Sequence, residues 1–189
     1  MALAAPIVVQ GEAGISLSTV YSPITQTTSA TSTPEYPGLP FLPGTRVVTT
    51  NGGEFIFVTL GTTSITQYQT VAIDNTYANV LPVGGAVAFT ADPAGLANFP
   101  GFVQVSGGTS LYSLWAQISG TFTALVASAS VYGPLYTLDT AGGLTGATNT
   151  TSHYQVSGVT CVVTASGSTV SATLCVGNAV SIRKPLAGS

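Results

Sequence analysis

Apolar and polar positions alternate along the stretch SLWAQISGTFTALVAS, residues 113–128. The even positions carry most of its apolar side chains: Leu114, Ala116, Ile118, Phe122, Ala124 and Val126. This alternation is typical of a strand with one buried face. Trp115 and Gln117 occupy odd positions, so we expect both side chains on the face that meets water.

Short strands are predicted along most of the remaining chain. The segment TRVVTT leads into Asn51-Gly52-Gly53, a strong hairpin signal. EFIFVTL is apolar on both faces and should be buried on both sides. Further strands are predicted in QTVAID, GGAVAFT, GFVQVSGG, PLYTLDTAGGLTG, GVTCVVTAS and TVSATLCVG. Since no segment holds an apolar period of 3.6, residues 45–182 are predicted to form one compact all-β domain. We expect a barrel or sandwich of short antiparallel strands, followed by a short tail over 183–189.

Residues 1–44 differ in composition from this domain, because six of the eleven prolines lie there beside the run TQTTSATST. Proline disfavours both a regular helix and a central strand. We therefore predict an extended, Pro/Thr-rich N-terminal arm, with a disordered tail as the alternative. Its candidate anchors, which could also contact a partner, are Tyr21, Tyr36, Phe41 and Leu42. The first residues lack the basic region of a secretory signal.

Charge is scarce, at 5% of residues against about a quarter in ordinary soluble proteins. The mean hydropathy is +0.48, yet no apolar run reaches the roughly 20 residues of a membrane span. Nucleic acid is an improbable partner because only three side chains, those of Arg46, Arg183 and Lys184, are basic. A surface with so few charges suits a protein that docks against copies of itself or a partner.

Catalytic chemistry is poorly supported. The single histidine, His153, could form a triad with Asp139 and a serine, but no GxSxG motif accompanies it. The carboxylates are widely spaced: Glu12, Glu35, Glu54, Asp74, Asp92 and Asp139. The three aspartates fall at predicted turns, where this residue has a local hydrogen-bonding role. We therefore expect no enzyme, no metal site and no cofactor.

Cys161 and Cys175 lie in the last two predicted strands. A turn at Ser168 would place them directly opposite each other, within reach of a disulfide at a non-hydrogen-bonded pair. The alternative is two reduced, partly buried thiols in a protein assembled in a reducing cytoplasm. We favour the reduced thiols, since a one-residue shift of register removes the pairing.

Several segments resemble the small head decoration, or capsid cement, proteins of tailed bacteriophages. A Trp-x-Gln-x-x-Gly strand is matched by Trp115, Gln117 and Gly120. A G-x-x-L-Y-T segment followed by G-x-L is matched by Gly133, Leu135, Tyr136, Thr137, Gly142 or Gly143, and Leu144. The resemblance covers most of the β domain, whereas the proline-rich segment 1–44 departs from the family pattern.

The resemblance implies a non-enzymatic virion protein, made in the host cytoplasm, that binds the outer capsid surface. It would bind the major capsid protein and reinforce the shell, as a homotrimer or, failing that, a dimer. Trp115 is then a candidate interface anchor, and its alternative role is to cover the arm or a loop of the same subunit. A carbohydrate-binding module, or a spike or fibre domain of a virion, is the competing hypothesis, and an enzyme is a third.

Overall fold

The computed structural model describes residues 15–22, 40–77, 80–84, 99–105, 108, 111–138, 142–146, 154–167 and 169–183. Within these ranges the chain forms strands and turns without a helix, so the all-β prediction is confirmed. The strands are β1 Arg46–Val48, β2 Glu54–Thr59, β3 Thr70–Ile73, β4 Leu81–Pro82, β5 Phe99–Val103, β6 Ser113–Val126, β7 Leu135–Thr137, β8 Leu144–Thr145, β9 Gln155–Cys161 and β10 Ser171–Arg183. The predicted strand GGAVAFT lies outside the described residues from its second glycine onward.

Five strands close into a barrel. The second half of β6 pairs with β10, β10 with β9, β9 with β7, β7 with β8, and β8 returns to β6 in parallel. A barrel of so few strands has an interior that side chains fill. Strand residues in its core are Phe122, Ala124, Val126, Leu135, Leu144, Val156, Val159, Cys161 and Cys175.

The remaining strands extend the sheet around the first half of β6. β2 pairs with one edge of this half and β5 with the other, and β1 and β3 continue the sheet outward. The even positions of β6 pack here into a second core. Phe102 of β5 stacks on Phe122 of β6 with ring centroids 3.9 Å apart, which joins the sheet to the barrel interior.

The odd face of β6 is also buried, contrary to the expectation that it meets water. Trp115 is fully buried because the N-terminal segment packs over it, and Gln117 is nearly fully buried beside Gly53 and Gly120. The third core consists of Ile15, Val47, Phe55, Phe57 and Trp115, with Leu17, Tyr21 and Phe41 packed against it. Strand alternation gave the even face correctly, but it carries no information about a cover supplied by distant residues.

The turns follow the sequence signals. The β1–β2 hairpin turns through Asn51-Gly52, as predicted, and β2 is buried on both faces. The carboxylate of Asp74 accepts hydrogen bonds from the backbone N–H groups of Thr76 and Tyr77 at the predicted turn after β3. These local bonds are the ordinary use of Asp in turns.

Candidate interaction surface

Reactive side chains are few in the described part of the chain. Arg46 and Glu54 form an ion pair of 3.0 Å on the neighbouring strands β1 and β2. The carboxylate of Asp74 accepts the hydrogen bonds of its own turn. No group of three metal-ligating side chains occurs among these residues. His153 and Asp139 lie outside the described ranges. Over the same ranges, no helix has the length and hydropathy needed to cross a membrane.

The predicted anchors lie mostly inside the chain's own core. Phe41 packs edge-on against Trp115 and Phe57, with centroids 5.0 and 5.6 Å away, and Tyr21 packs edge-on against Phe57 at 5.5 Å. The prediction that Trp115 is an interface anchor is therefore wrong, because its side chain has no exposed surface. Its alternative role, covering the arm within one subunit, matches this arrangement. Leu42 is exposed, and Tyr36 lies outside the described residues.

The Trp-x-Gln-x-x-Gly segment has a structural explanation. Gln117 donates its side-chain N–H to the carbonyls of Ser119 and Thr121, on either side of Gly120. Gly120 has φ +92° and passes so close to Gly53 that an added Cβ would lie 2.8 Å from the Gly53 Cα. This motif thus shapes a bend in β6 rather than presenting a contact.

A partly exposed surface of apolar and threonine side chains lies instead on the outside of the barrel. Strands β6, β10 and β9 run side by side, and their outward positions form one continuous patch, which we call the outer barrel face. It comprises Thr121, Thr123, Leu125, Thr160, Val162, Ala172, Leu174 and Val176. Across the strands, Leu174 pairs with Thr123, Val176 with Thr121, and the N–H of Val162 donates to the Leu174 carbonyl.

Strand β10 points its larger apolar side chains outward, away from the barrel core. Its inward positions include Thr173 and Cys175, both buried, while Leu174 points outward and is 42% exposed. Folding alone favours the opposite arrangement, since burial of a Leu side chain contributes about 1.5–3 kcal/mol. A partner that covered Leu174 would therefore recover part of this burial.

The turn beside β9 adds an aromatic side chain. Tyr132 is 71% exposed, and its N–H donates to the carbonyl of Cys161, which fixes the turn against the edge of β9 away from β10. Tyr132 has φ +58°, a left-handed backbone that costs a non-glycine residue roughly 1–2 kcal/mol. Val131, which directly precedes Tyr132, is also exposed, as is Val163 shortly after β9. Exposed Tyr is among the residues that most often dominate binding energy at interfaces.

No charge interrupts this surface. Strands β6 and β9 contain no Asp, Glu, Lys or Arg, and neither does β10 before Arg183. Along the chain, positions 93–182 contain a single carboxylate, Asp139, and no Lys or Arg. Charged side chains are the usual means of keeping an exposed β surface from associating. The outer barrel face therefore lacks the charged side chains that ordinarily keep an exposed β surface from associating.

The cysteine register agrees with the prediction. Cys161 and Cys175 are directly opposed on β9 and β10, and both are fully buried in the barrel. The structure holds them as free thiols with their sulfur atoms 3.4 Å apart.

Comparison with known proteins adds no relative. No protein-family model matches the chain, and no curated protein matches it.

The sequence did not single out Tyr132 or Leu174. A signal for Tyr132 was present, because Gly133-Pro134 directly after it marks a turn, where an aromatic ring has little to pack against. For Leu174 the sequence signal pointed the other way, since the larger apolar side chains of β10 fall at even positions and alternation would turn them inward, whereas the pairing of β10 buries Thr173 and Cys175 instead.

Proposed function

We propose that this chain is a structural virion protein that binds the outer surface of a bacteriophage capsid and cements contacts between major capsid protein subunits. The observation that carries the proposal is the outer barrel face, a partly exposed and uncharged sheet surface with Leu174 as its most exposed large apolar side chain, together with the exposed Tyr132 in the turn beside β9. Such a surface binds by shape and apolar contact.

A repeated lattice makes modest contacts sufficient. A standard protein interface buries about 800 Å² on each partner. Many copies held on one shell, or linked to each other, add their contacts by effective concentration, so each contact can be weak. Small apolar and hydroxyl side chains have few rotatable bonds, so they also lose little conformational entropy when a partner covers them.

The resemblance to head decoration proteins supports the same function through the fold. The matched Gln117 and Gly120 lie at the bend of β6, the matched Trp115 lies in the third core, and the matched Leu135 and Leu144 lie in the barrel core. These residues would preserve the domain, while the outer barrel face supplies the contact. A homotrimer at a threefold position is the assembly that the resemblance implies.

A sugar-binding platform is the weaker hypothesis. Stacking on a glycan uses several exposed rings on one face. In the described part of the chain, Tyr132 is the aromatic side chain that is mostly exposed.

The test is a head-binding assay with Leu174→Lys. Purified chain is mixed with heads that lack it, and the bound fraction is measured after sedimentation. A lysine here would bring an unpaired charge into an apolar contact, so we expect affinity to fall at least about tenfold, which is about 1.4 kcal/mol. The matched control is Val48→Lys, the same change at a residue that is 61% exposed on β1, away from the barrel.

The oligomeric state of each variant separates two kinds of contact. If Leu174→Lys stays assembled but leaves the heads, the face contacts the capsid. If its native mass falls to that of a monomer, the face joins copies of the chain. Equal head binding and equal mass for Leu174→Lys, Val48→Lys and the unmodified chain would overturn the assignment of this surface.

A further inference from the structure

The cysteine pair sits at a position built for a cross-strand bond. Val162 N–H donates to the Leu174 carbonyl at 3.0 Å, so the adjacent pair Cys161–Cys175 is a non-hydrogen-bonded pair. In such a pair the Cα atoms lie about 4.5 Å apart, at the close end of the range that disulfides span. The backbone already has the separation that a disulfide needs.

The side chains are also correctly directed. Both cysteines point into the barrel, and their sulfur atoms are 3.4 Å apart. A bond requires an approach to about 2.05 Å, which side-chain rotation supplies while the two strands stay paired. We propose that Cys161 and Cys175 form an intramolecular disulfide when the chain meets an oxidant, and that this bond staples β9 to β10 inside the barrel.

The two thiols of the pair also differ in pKa. The hydrogen bond from Cys175 lowers the pKa of the Cys161 thiol, against the opposing effect of burial. The same hydrogen bond and burial raise the pKa of Cys175. Since the thiolate is the nucleophile, Cys161 is the sulfur that reacts first.

The reaction balances with a low-molecular-weight disulfide, such as oxidised glutathione, as the oxidant. The Cys161 thiolate attacks one of its sulfur atoms, which forms a mixed disulfide and releases one small thiol. Cys175 then loses its proton and attacks the Cys161 sulfur, which closes the protein disulfide and releases the second small thiol. Two electrons pass from the protein thiols to the oxidant, and their two protons end on the released thiols. A reducing cytoplasm keeps the pair as thiols, and in an oxidising environment the bond closes when the chain folds or when the barrel opens enough to admit the oxidant.

The bond should stabilise the fold. It joins residues 14 positions apart in the chain, and closing a loop of this size restricts the unfolded state. For a chain of this length we expect the midpoint of thermal unfolding to rise by about 5–10 °C.

The experiment uses the full-length chain without heads, so its outcome is independent of the proposed function. Because the thiols are buried, the chain is refolded from denaturant with and without oxidised glutathione, which gives both sulfurs access to the oxidant. Free thiols are then alkylated under denaturing conditions, and intact mass, peptide mapping and thermal unfolding are measured. We expect the oxidised chain to take up no alkyl group, to stay unlinked to other chains, and to show the raised midpoint until a reductant is added.

Cys175→Ala is the matched control, because it keeps Cys161 and removes the partner. This variant should form no internal bond, and its midpoint should be the same after both treatments. Two alkylated cysteines in the oxidised unmodified chain, a bond only between chains, or a midpoint that does not rise on closure would each overturn the proposal.

Discussion

Removing the ring of Phe41 tests whether the N-terminal segment is part of the folded domain. Phe41 is half-buried and packs edge-on against the rings of Trp115 and Phe57, 5.0 and 5.6 Å away. Truncating a fully buried Phe to Ala costs about 3–5 kcal/mol. Because Phe41 keeps part of its surface in water, we expect Phe41→Ala to cost about 2 kcal/mol, or roughly 4–8 °C in the unfolding midpoint.

The chain contains one tryptophan, so its fluorescence reports on this contact directly. In the unmodified chain Trp115 is fully buried, and we expect blue-shifted emission that acrylamide quenches poorly. Phe41→Ala should shift the emission to longer wavelength and increase quenching. Leu42→Ala is the matched control, since Leu42 is the next residue and 71% exposed, and it should change stability by less than about 0.5 kcal/mol. The same midpoint and the same emission in both variants would refute the packing of this segment on β6.

Two further substitutions separate close packing from backbone conformation. Gly177→Ala should destabilise the chain by at least about 2 kcal/mol in urea unfolding, because its Cβ would lie 2.0 Å from the carbonyl oxygen of Gly158. Gly52→Ala is its control, with φ +82° and open space around it, and should cost only about 1 kcal/mol; equal costs would contradict the close approach of β9 and β10. Tyr132→Gly should leave stability unchanged or raise it by up to about 1 kcal/mol, because it relieves the left-handed backbone, while head binding falls. Weaker folding together with undiminished binding would show that Tyr132 serves the fold.

The positions of many strands along the chain were predictable because the signals that mark a strand are local. Alternation, hairpin residues and turn aspartates each act within a few positions, and they located β1, β2, β3 and β6 and the opposed cysteines. The closed barrel was not predictable in the same way. It depends on the parallel contact of Val126 with Leu144 and on the pairing of β7 with β9, which join distant parts of the chain.

The contact surface was missed for a related reason. Alternation within a strand indicates two different faces, but only the tertiary arrangement decides which of them is covered. The cover of residues 15–21 buried Trp115, which the alternation had placed in water, and the pairing of β10 exposed Leu174. In both cases residues outside the strand itself decide which of its faces is covered.

Imaging heads with and without added chain tests the central claim most directly. Electron microscopy of decorated heads should show extra density at every equivalent position on the outside of the shell. In that density the strands that carry Leu174 should face a neighbouring subunit of the capsid or of the chain itself. Bare shells after incubation with excess chain, together with a native mass of one free monomer, would contradict the account.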